Sequence, residues 1–328
     1  MSGKARPRAL VTAPFRGEGL NKLKQLADVE LDPWIDHTPL RIYKAQQLAD
    51  RAAKEGANIV IVESDRCAGP LFELPLLALG SARGDPNNVD IPAATKAGIP
   101  VLRAPGRNAD AVAEMSVALL FAVNRHLIQA DEDVRTGATF KDGTIPYQRF
   151  RTWQLAGQTA GLVGLGAVGR ATQWRLEGLG MKVIAFDPYS ADAKHSLEEL
   201  LAQSDVISMH AVVTPETEGM IGAKQFEQMR KGAVYINTAR AMLHDTDALV
   251  QALNSGQVAG AGLDHFVGEH LAPEHPLVQL ANVVLTPHIG GATYDTEANQ
   301  SNMLADDIER LLRGERPVNI VNPEVLER

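Results

Sequence analysis

Residues 160–170 read AGLVGLGAVGR, an apolar run interrupted by closely spaced glycines. The run has the composition of a buried strand, and RATQWRLEGLG, which follows, has the apolar spacing of a helix. Gly164 allows a tight turn between them, Gly166 lets backbone amides approach an anion, and Gly169 lets the helix pack closely on the strand. Because a helix N-terminus attracts anions, this glycine fingerprint predicts a strand, turn and helix that bind a dinucleotide pyrophosphate.

An acidic residue ends the next apolar run, KVIAFD, about twenty residues after the fingerprint. The Asp187 carboxylate can accept hydrogen bonds from the adenosine ribose and repels a 2′-phosphate, so the expected cofactor is NAD rather than NADP. The alternative is a glycine-rich turn followed by an unrelated surface aspartate. The joint order of strand, turn, helix, strand and acid favours the NAD site.

Apolar runs alternate with amphipathic segments on both sides of the fingerprint, which is typical of parallel α/β sheets. Before it, the candidate strands are ALVTAP (9–14), NIVIVES (58–64), LLALGSA (76–82) and VLRAP (101–105). After residue 155 they are TAGLVG, KVIAFD, DVISMHA, AVYINTA, GAGLD and NVVLTP. Residues 108–127, with a polar start and an apolar stripe, predict a helix that bridges the two sets. Residues 131–153 lack clear periodicity and predict an irregular excursion over the surface or over a partner subunit.

Length, charge and cysteine content exclude several classes of protein. A chain of 328 residues is long enough for about two domains. The net charge of −8 provides no basic field for nucleic acid. Cys67 is the single cysteine, which excludes an intramolecular disulfide and suits a reducing compartment. The longest apolar run, VALLFAV, is far shorter than a membrane span, and the N-terminus lacks a signal-peptide core. We expect a cytoplasmic protein with no membrane or nucleic-acid partner.

Three short segments at the ends of the later runs carry polar residues: INTARAML around Arg240, GLDHFVGEHL with Asp264 and Glu269, and LTPHIGG around His288. Ligands of open α/β sheets bind beyond the carboxyl ends of the strands. In this order after GLGAVG, the motifs INTAR, LD.F..E.L and TPHIGG resemble the D-isomer-specific 2-hydroxyacid dehydrogenase family, in its phosphoglycerate dehydrogenase-like form. The likeness covers nearly the whole chain.

This resemblance implies an α/β fold with two Rossmann-like or flavodoxin-like doubly wound parallel-sheet domains and an active site in the cleft between them. Residues 1–104 and 296–328 would form a discontinuous substrate domain, completed by a C-terminal helix from about Thr296. Residues 105–295 would form an inserted NAD-binding Rossmann domain. Family members commonly pair through this domain, so a homodimer is expected.

The resemblance assigns the chemistry to Arg240, Glu269 and His288, and physical chemistry supports the assignment. When a hydride moves from nicotinamide to the carbonyl carbon of a 2-oxo acid, the oxygen must receive a proton, which a histidinium can supply near neutral pH. Glu269 would hydrogen-bond His288 and favour its charged form. Arg240 offers a planar fork of donors to the substrate carboxylate.

Further residues are implied at the cofactor and the substrate. Asp264 is expected near the nicotinamide, and backbone amides around Arg83 and Gly84 resemble the family loop that grips the substrate carboxylate. The implied cofactor-binding residues are Gly164, Gly166, Ala167, Val168, Gly169, Asp187, Thr214, Ala239 and Asp264. The implied substrate-binding residues are Arg83, Gly84, Arg103 and Arg240.

Several positions depart from the family pattern. Ala241, His265 and His270 replace the usual glycine, small apolar residue and proline. Four arginines also lie on the expected substrate-domain loops, at Arg66, Arg83, Arg103 and Arg107. They predict a substrate with a second anionic or strongly polar group, such as a phosphate or the hydroxyls of a sugar acid. The alternative is that they form surface ion pairs.

Other functions remain as alternatives. The histidines and glutamates of HFVGEHLAPEH are candidate metal ligands, but Gly268, Pro273 and Pro276 disfavour a helix, so no metal is expected. An NAD(H)-sensing binding protein of the same fold is the alternative to an enzyme. Glu269 argues against formate dehydrogenases, whose pattern has glutamine there. No regulatory domain is expected after residue 328.

Overall fold

The computed structural model describes residues 6–327 and divides into two compact units. The first unit comprises the chain up to Asn108 together with the chain from Thr293 onward, and the second is Ala109–Ala292. The second unit is therefore an insertion in the first. The division into a substrate domain (1–104 and 296–328) and an NAD-binding domain (105–295) stays a prediction.

Short parallel strands alternate with helices throughout the described residues. The strands are β1 (Arg8–Val11), β2 (Asp28–Leu31), β3 (Ile59–Val62), β4 (Ala78–Ser81), β5 (Val101–Leu102), β6 (Thr159–Val163), β7 (Lys182–Phe186), β8 (Val206–Met209), β9 (Ala233–Asn237), β10 (Val258–Leu263) and β11 (Val283–Leu285). The helices are α1 (Gly17–Leu26), α2 (Ala45–Glu55), α3 (Ile91–Lys96), α4 (Ala109–Asn124), α5 (Leu127–Arg135), α6 (Pro146–Arg149), α7 (Ala167–Gly178), α8 (Leu197–Gln203), α9 (Ala223–Gln228), α10 (Thr246–Asn254), α11 (Pro276–Gln279) and α12 (Tyr294–Leu312).

The first unit is a five-stranded parallel sheet in the order β2-β1-β3-β4-β5. The four strands predicted before the fingerprint are present, and every residue of β3 and β4 is buried. Sequence reasoning missed β2, because this edge strand is largely exposed and has no apolar run. Helix α12 packs against α1, and a Cβ at Gly19 would lie 2.2 Å from the Ser301 carbonyl carbon, so this contact requires glycine.

The second unit is a six-stranded parallel sheet in the order β11-β10-β9-β8-β6-β7. All six predicted strands are present. Apolar side chains cover both faces, with Leu119 and Leu176 in one cluster and Leu200 and Leu249 in another. The strand order reverses between β6 and β8, which is where an open α/β sheet binds its ligand. The fingerprint turn follows β6 and lies at this switch point.

The predicted bridging helix over 108–127 corresponds to α4, which packs on β9, β10 and β11.

Residues 131–153 are more ordered than their sequence suggested, because they contain α6 and the buried carboxylate of Asp133. Asp133 accepts from Lys141 Nζ at 2.6 Å and from Arg149 Nη2 at 2.8 Å. These bonds lower the pKa of Asp133. They hold the segment that carries Lys141 and Arg149 against the end of α5.

No single helix within residues 6–327 is long and apolar enough to cross a membrane. One bent pair, Ala109–Asn124 with Leu127–Arg135, meets the criterion by length and composition only.

Candidate active site

His288 and Glu269 form a hydrogen-bonded pair beyond the carboxyl ends of β11 and β10. Nδ1 of His288 lies 3.0 Å from Oε1 of Glu269, and the two side chains are 44% and 58% exposed. The structure thus brings together two residues that the sequence assigned to one function. Because Nδ1 faces the carboxylate, Nε2 is the nitrogen left to exchange a proton with a ligand.

Both members of this pair have left-handed backbone, with φ of 59° at Glu269 and 54° at His288. Residues other than glycine rarely adopt this conformation. Elsewhere in residues 6–327 only His126 and Asp142 do so. Such backbone is costly and concentrates at functional sites, so its presence at both partners supports a functional pair.

The buried carboxylate of Asp264 holds the loop that carries His288. Its Oδ1 accepts from Thr286 Oγ1 at 2.6 Å and from the Ile289 backbone N–H at 2.9 Å. Its Oδ2 accepts from the Gly290 N–H at 2.7 Å. Asp264 is 1% exposed, so these bonds satisfy a group that burial would otherwise penalise. Its predicted position near the nicotinamide stays a prediction.

A buried polar network supports the backbone of Arg240. Asn237 Nδ2 donates to the Arg240 carbonyl at 2.9 Å and to Nδ1 of His244 at 3.0 Å, and Asn237 Oδ1 accepts from the Ala239 N–H at 3.0 Å. Burial lowers the pKa of His244 to about 4, so its Nδ1 can act as an acceptor. Sequence reasoning missed Asn237 and His244, although the asparagine of INTAR, at the end of a buried strand, was a usable signal.

His265 lies between Arg240 and His288 and was not predicted to belong to the site. Its ring centroid is 3.6 Å from that of His288, and its Nε2 is 3.4 Å from Arg240 Nη1. Burial, followed by the nearby charges of His288 and Arg240, lowers the pKa of His265 to about 3. The signal was the departure from the family pattern immediately after Asp264.

Among the described residues, His265, Glu269 and His288 are also the one group whose ligand atoms, within 4.8 Å of one another, could hold a metal ion. This set differs from the candidate set in HFVGEHLAPEH, since His288 replaces His270 and His275. Arg240 lies next to His265 and would repel a metal dication. We therefore assign no metal here.

The glycine fingerprint has the geometry that its three glycines predict. Gly164 has φ of 99°, and a Cβ there would lie 2.6 Å from the Ala211 nitrogen. A Cβ at Gly169 would lie 2.2 Å from the Gly164 carbonyl oxygen, whereas at Gly166 it would meet no atom within 4 Å. Gly166 precedes α7 and makes no side-chain cap. The N-terminus of α7, including Ala167 and Val168, therefore fits an anion.

The other predicted cofactor residues lie at strand ends of the same sheet. Asp187 follows β7 and accepts from the Leu165 N–H at 2.7 Å and the Tyr189 N–H at 2.8 Å. Its carboxylate is thereby fixed beside the turn that follows Gly164. Thr214 donates through its backbone N–H to Thr217 Oγ1 at 2.7 Å. Ala239, after β9, is held by Asn237.

The predicted substrate residues of the first unit lie around one loop. Arg83 donates to the Glu63 carbonyl at 2.6 Å and to Asn87 Oδ1 at 2.8 Å. Arg103 donates to the Gly84 carbonyl and Arg66 to the Asn87 carbonyl, each at 3.3 Å. The fourth arginine, Arg107, is ion-paired with Glu63 Oε1 at 2.5 Å.

Comparison with known proteins identifies the family. Residues 117–290 match the family described as "D-isomer specific 2-hydroxyacid dehydrogenase, NAD binding domain". A glyoxylate reductase of Thermofilum pendens is 37% identical over 98% of this chain and 96% of its own length. The chain belongs to the D-isomer specific 2-hydroxyacid dehydrogenase family. A D-3-phosphoglycerate dehydrogenase of Methanocaldococcus jannaschii is 32% identical over 96% of this chain and 59% of its own length.

A solved structure of another family member supports the same conclusion. The NAD complexed form of a D-isomer specific 2-hydroxyacid dehydrogenase from Lactobacillus delbrueckii ssp. bulgaricus has a TM-score of 0.79 and 28% identity. It covers 96% of this chain and 100% of the solved chain. The predicted fold class, family and NAD cofactor are confirmed, as is the expectation of an NAD-dependent 2-hydroxyacid dehydrogenase. This family membership favours an enzyme over an NAD(H)-sensing protein.

Proposed function

We propose that the protein interconverts a 2-oxo acid and a D-2-hydroxy acid with His288 as acid and base, Glu269 as its partner and Arg240 as the substrate carboxylate's ligand. The observation that carries this proposal is the 3.0 Å contact between His288 and Glu269, with the Arg240 guanidinium on the far side of the His265 ring. The proposed substrate and product are both small molecules.

The residues present fit NAD. Gly166 leaves open space before the N-terminus of α7, and Asp187 places a carboxylate beside the same turn. We propose that Gly164, Gly166, Ala167, Val168 and Gly169 hold the pyrophosphate, Asp187 the adenosine ribose, and Thr214, Ala239 and Asp264 the remaining parts. When bound as NADH, the cofactor supplies a hydride to the carbonyl carbon.

The geometry of His288 indicates which nitrogen supplies the proton. As the carbonyl carbon is reduced, its oxygen gains negative charge and takes the proton from Nε2 of the imidazolium, leaving neutral imidazole. Nδ1–H donates to Glu269 throughout, which fixes the ring and stabilises its charged form. In the direction of oxidation, the neutral imidazole accepts the hydroxyl proton through the same nitrogen.

Arg240 would bind the substrate carboxylate through its planar guanidinium. Nη1 already donates to the Ala239 carbonyl at 2.6 Å, which fixes one side of the group. The backbone is held by Asn237. A fixed guanidinium can therefore orient the acid without first losing much side-chain entropy.

For the substrate, we propose a 2-oxo acid with a second anionic or strongly polar group. Arg66, Arg83 and Arg103 lie around the loop at 83–87, which supports recognition of such a group by arginines. Arg107 is not included in this proposal, because its guanidinium is ion-paired with Glu63. The relatives named above are a glyoxylate reductase and a D-3-phosphoglycerate dehydrogenase, so their names cover both a small acid and a phosphorylated one.

Arg103→Ala tests this substrate class. It should raise KM for a phosphorylated or polyhydroxylated 2-oxo acid about tenfold or more, and leave that for glyoxylate within about twofold. Arg316→Ala, which removes an exposed arginine elsewhere in the first unit, is the matched control. Equal effects of Arg103→Ala on both acids would overturn the extended substrate and leave the dehydrogenase assignment intact.

We also propose a homodimer. Large apolar or aromatic side chains between residues 127 and 153 are mostly exposed: Ile128, Val134, Phe140, Tyr147 and Trp153. A concentration of exposed apolar side chains often marks an interface. Light scattering should give twice the chain mass, and Phe140→Ser with Trp153→Ser should shift it towards the monomer. A monomeric wild-type protein would contradict this proposal.

The activity itself is tested by following NADH absorbance with a panel of 2-oxo acids, from glyoxylate and hydroxypyruvate to phosphorylated four-carbon acids. We expect turnover with NADH and little with NADPH. Tight NADH binding without turnover of any acid, in either direction, would contradict the proposal.

A further inference from the structure

His265 is a buried side chain that contacts both His288 and Arg240, two of the three charged groups of the proposed mechanism. It follows Asp264 at the end of β10 and is 4% exposed. Its ring lies against that of His288, with centroids 3.6 Å apart and planes at 52°. Its Nε2 lies 3.4 Å from Nη1 of Arg240. One rigid side chain thus touches the proposed proton donor and the proposed carboxylate ligand.

The contact with Arg240 determines the protonation of His265. A guanidinium has donors and no acceptor, so Nε2 of His265 can only accept. The ring is therefore neutral and carries its proton on Nδ1. Nδ1 lies 3.8 Å from Oε1 of Glu269, so this proton faces a carboxylate. Burial, followed by electrostatic interaction with His288 and Arg240, lowers the pKa of His265 to about 3, which is consistent with a neutral ring.

We propose that His265 is a positioning residue, whose Nε2 holds the Arg240 guanidinium and whose ring fixes the orientation of His288. This inference rests on the proposed roles of Arg240 and His288. A small apolar residue at this position could provide neither contact. The expected consequence is an effect on substrate binding through Arg240 that exceeds any effect on NADH binding.

A metal site is the competing role for the same side chains. Coordination through Nδ1 would require the proton to move to Nε2, where it would face the Arg240 donor. The observed contact therefore favours the positioning role. Zinc chloride provides the direct comparison, because a metal site predicts inhibition at micromolar concentration that is lost when His265 is replaced.

Two variants of His265 separate the contribution of the hydrogen bond to Arg240 from that of the ring. Gln can place its amide oxygen near the position of Nε2 and accept from Arg240, whereas Phe keeps a ring of similar size and cannot accept. We expect His265→Phe to raise KM for the 2-oxo acid about tenfold, and His265→Gln to remain within about threefold of the wild type. The Kd for NADH should stay within about twofold in both. Equal KM values for the two variants would overturn the proposal.

The coupling to Arg240 is tested in a double variant. With Arg240→Lys already present, His265→Phe should raise KM by less than about twofold further, because the held guanidinium is gone. Independent effects that multiply would overturn the positioning role. If Arg240→Lys alone left KM unchanged, the proposed function of Arg240 would fail instead, so the two failures are distinguishable.

Nitrogen NMR of histidine-labelled wild-type protein provides a test that does not depend on a variant folding. The resonances of His265 should remain those of a neutral ring at pH 5, with an unprotonated Nε2 and a protonated Nδ1, whereas those of the buried His244 should show an unprotonated Nδ1. A His265 ring protonated at pH 5, or one with the proton on Nε2, would overturn the proposal. So would micromolar zinc inhibition that His265→Phe abolishes.

Discussion

Asp264 and Gly290 meet at a distance that leaves no room for a side chain. The Gly290 N–H donates to Asp264 Oδ2 at 2.7 Å, and a Cβ on residue 290 would lie 2.8 Å from the same oxygen. The same carboxylate also binds Thr286 and Ile289, which flank His288. The position of the proposed acid therefore depends on a glycine two residues away.

Gly290→Ala is expected to displace this loop. Because the added methyl would crowd the carboxylate oxygen, the variant should lose about 1–3 kcal/mol of unfolding free energy and most of its kcat. Gly178→Ala is the matched control, since a Cβ there meets no atom within 4 Å, and it should be neutral or stabilising by up to about 1 kcal/mol. Urea denaturation and NADH turnover of both variants measure these effects. Similar behaviour of the two would contradict the role of this contact.

Glu269→Gln is expected to lower kcat about tenfold, because it removes the negative charge that stabilises the His288 imidazolium while keeping an acceptor. The effect is modest because the pair is partly exposed. Steady-state turnover of NADH measures this effect. Glu274→Gln, an exposed neighbour with the same change of charge, should leave kcat unchanged. Equal kcat values for wild type and Glu269→Gln would exclude the proposed partnership.

Arg240→Lys should raise KM for the 2-oxo acid by about 10–100-fold with little change in the Kd for NADH. Lysine keeps the charge but loses the planar fork that binds a carboxylate through two bonds. Arg230→Lys, whose arginine pairs with Asp205 at 2.7 Å, is the control. Steady-state kinetics and NADH fluorescence separate the two constants. An unchanged KM would show that Arg240 does not bind the acid.

The buried His244 should make the protein less stable in acid. Burial lowers its pKa to about 4, so below pH 6.5 the unfolded chain binds a proton that the folded chain does not. The free energy of unfolding therefore falls as the pH falls, by about 1.4 kcal/mol per unit between these pKa values. When the pH is lowered from 7 to 5, the free energy of unfolding should fall by about 2 kcal/mol less in His244→Gln than in wild type, as measured by urea denaturation. Equal losses would argue against a neutral buried imidazole.

The sequence predicted those parts of the fold that local chemistry determines. Ten of the eleven strands within residues 6–327 follow from apolar runs, and the spacing of Gly164, Gly166 and Gly169 predicted a turn with the observed geometry. Strand β2 was missed because it is an exposed edge strand.

The motifs predicted part of the candidate site, but they did not predict Asn237, His244 or His265. The pairing of His288 with Glu269 was expected from the family pattern, whereas the contacts of His265 depend on how two loops pack in space. Asp264 shows the same limit. The sequence did not predict its three hydrogen bonds to the His288 loop, and its expected place near the nicotinamide stays a prediction. Arg107 was grouped with the substrate arginines because sequence order does not show its ion pair with Glu63.

His288 donates the proton during reduction in the proposed mechanism, and single-turnover oxidation of bound NADH by a 2-oxo acid in wild type and His288→Gln tests this role. We predict a rate lower by about 10²–10⁴-fold in the variant, the range usual for loss of a general acid, with an unchanged Kd for NADH. A single-turnover rate within about threefold of the wild type would show that His288 is not the proton donor.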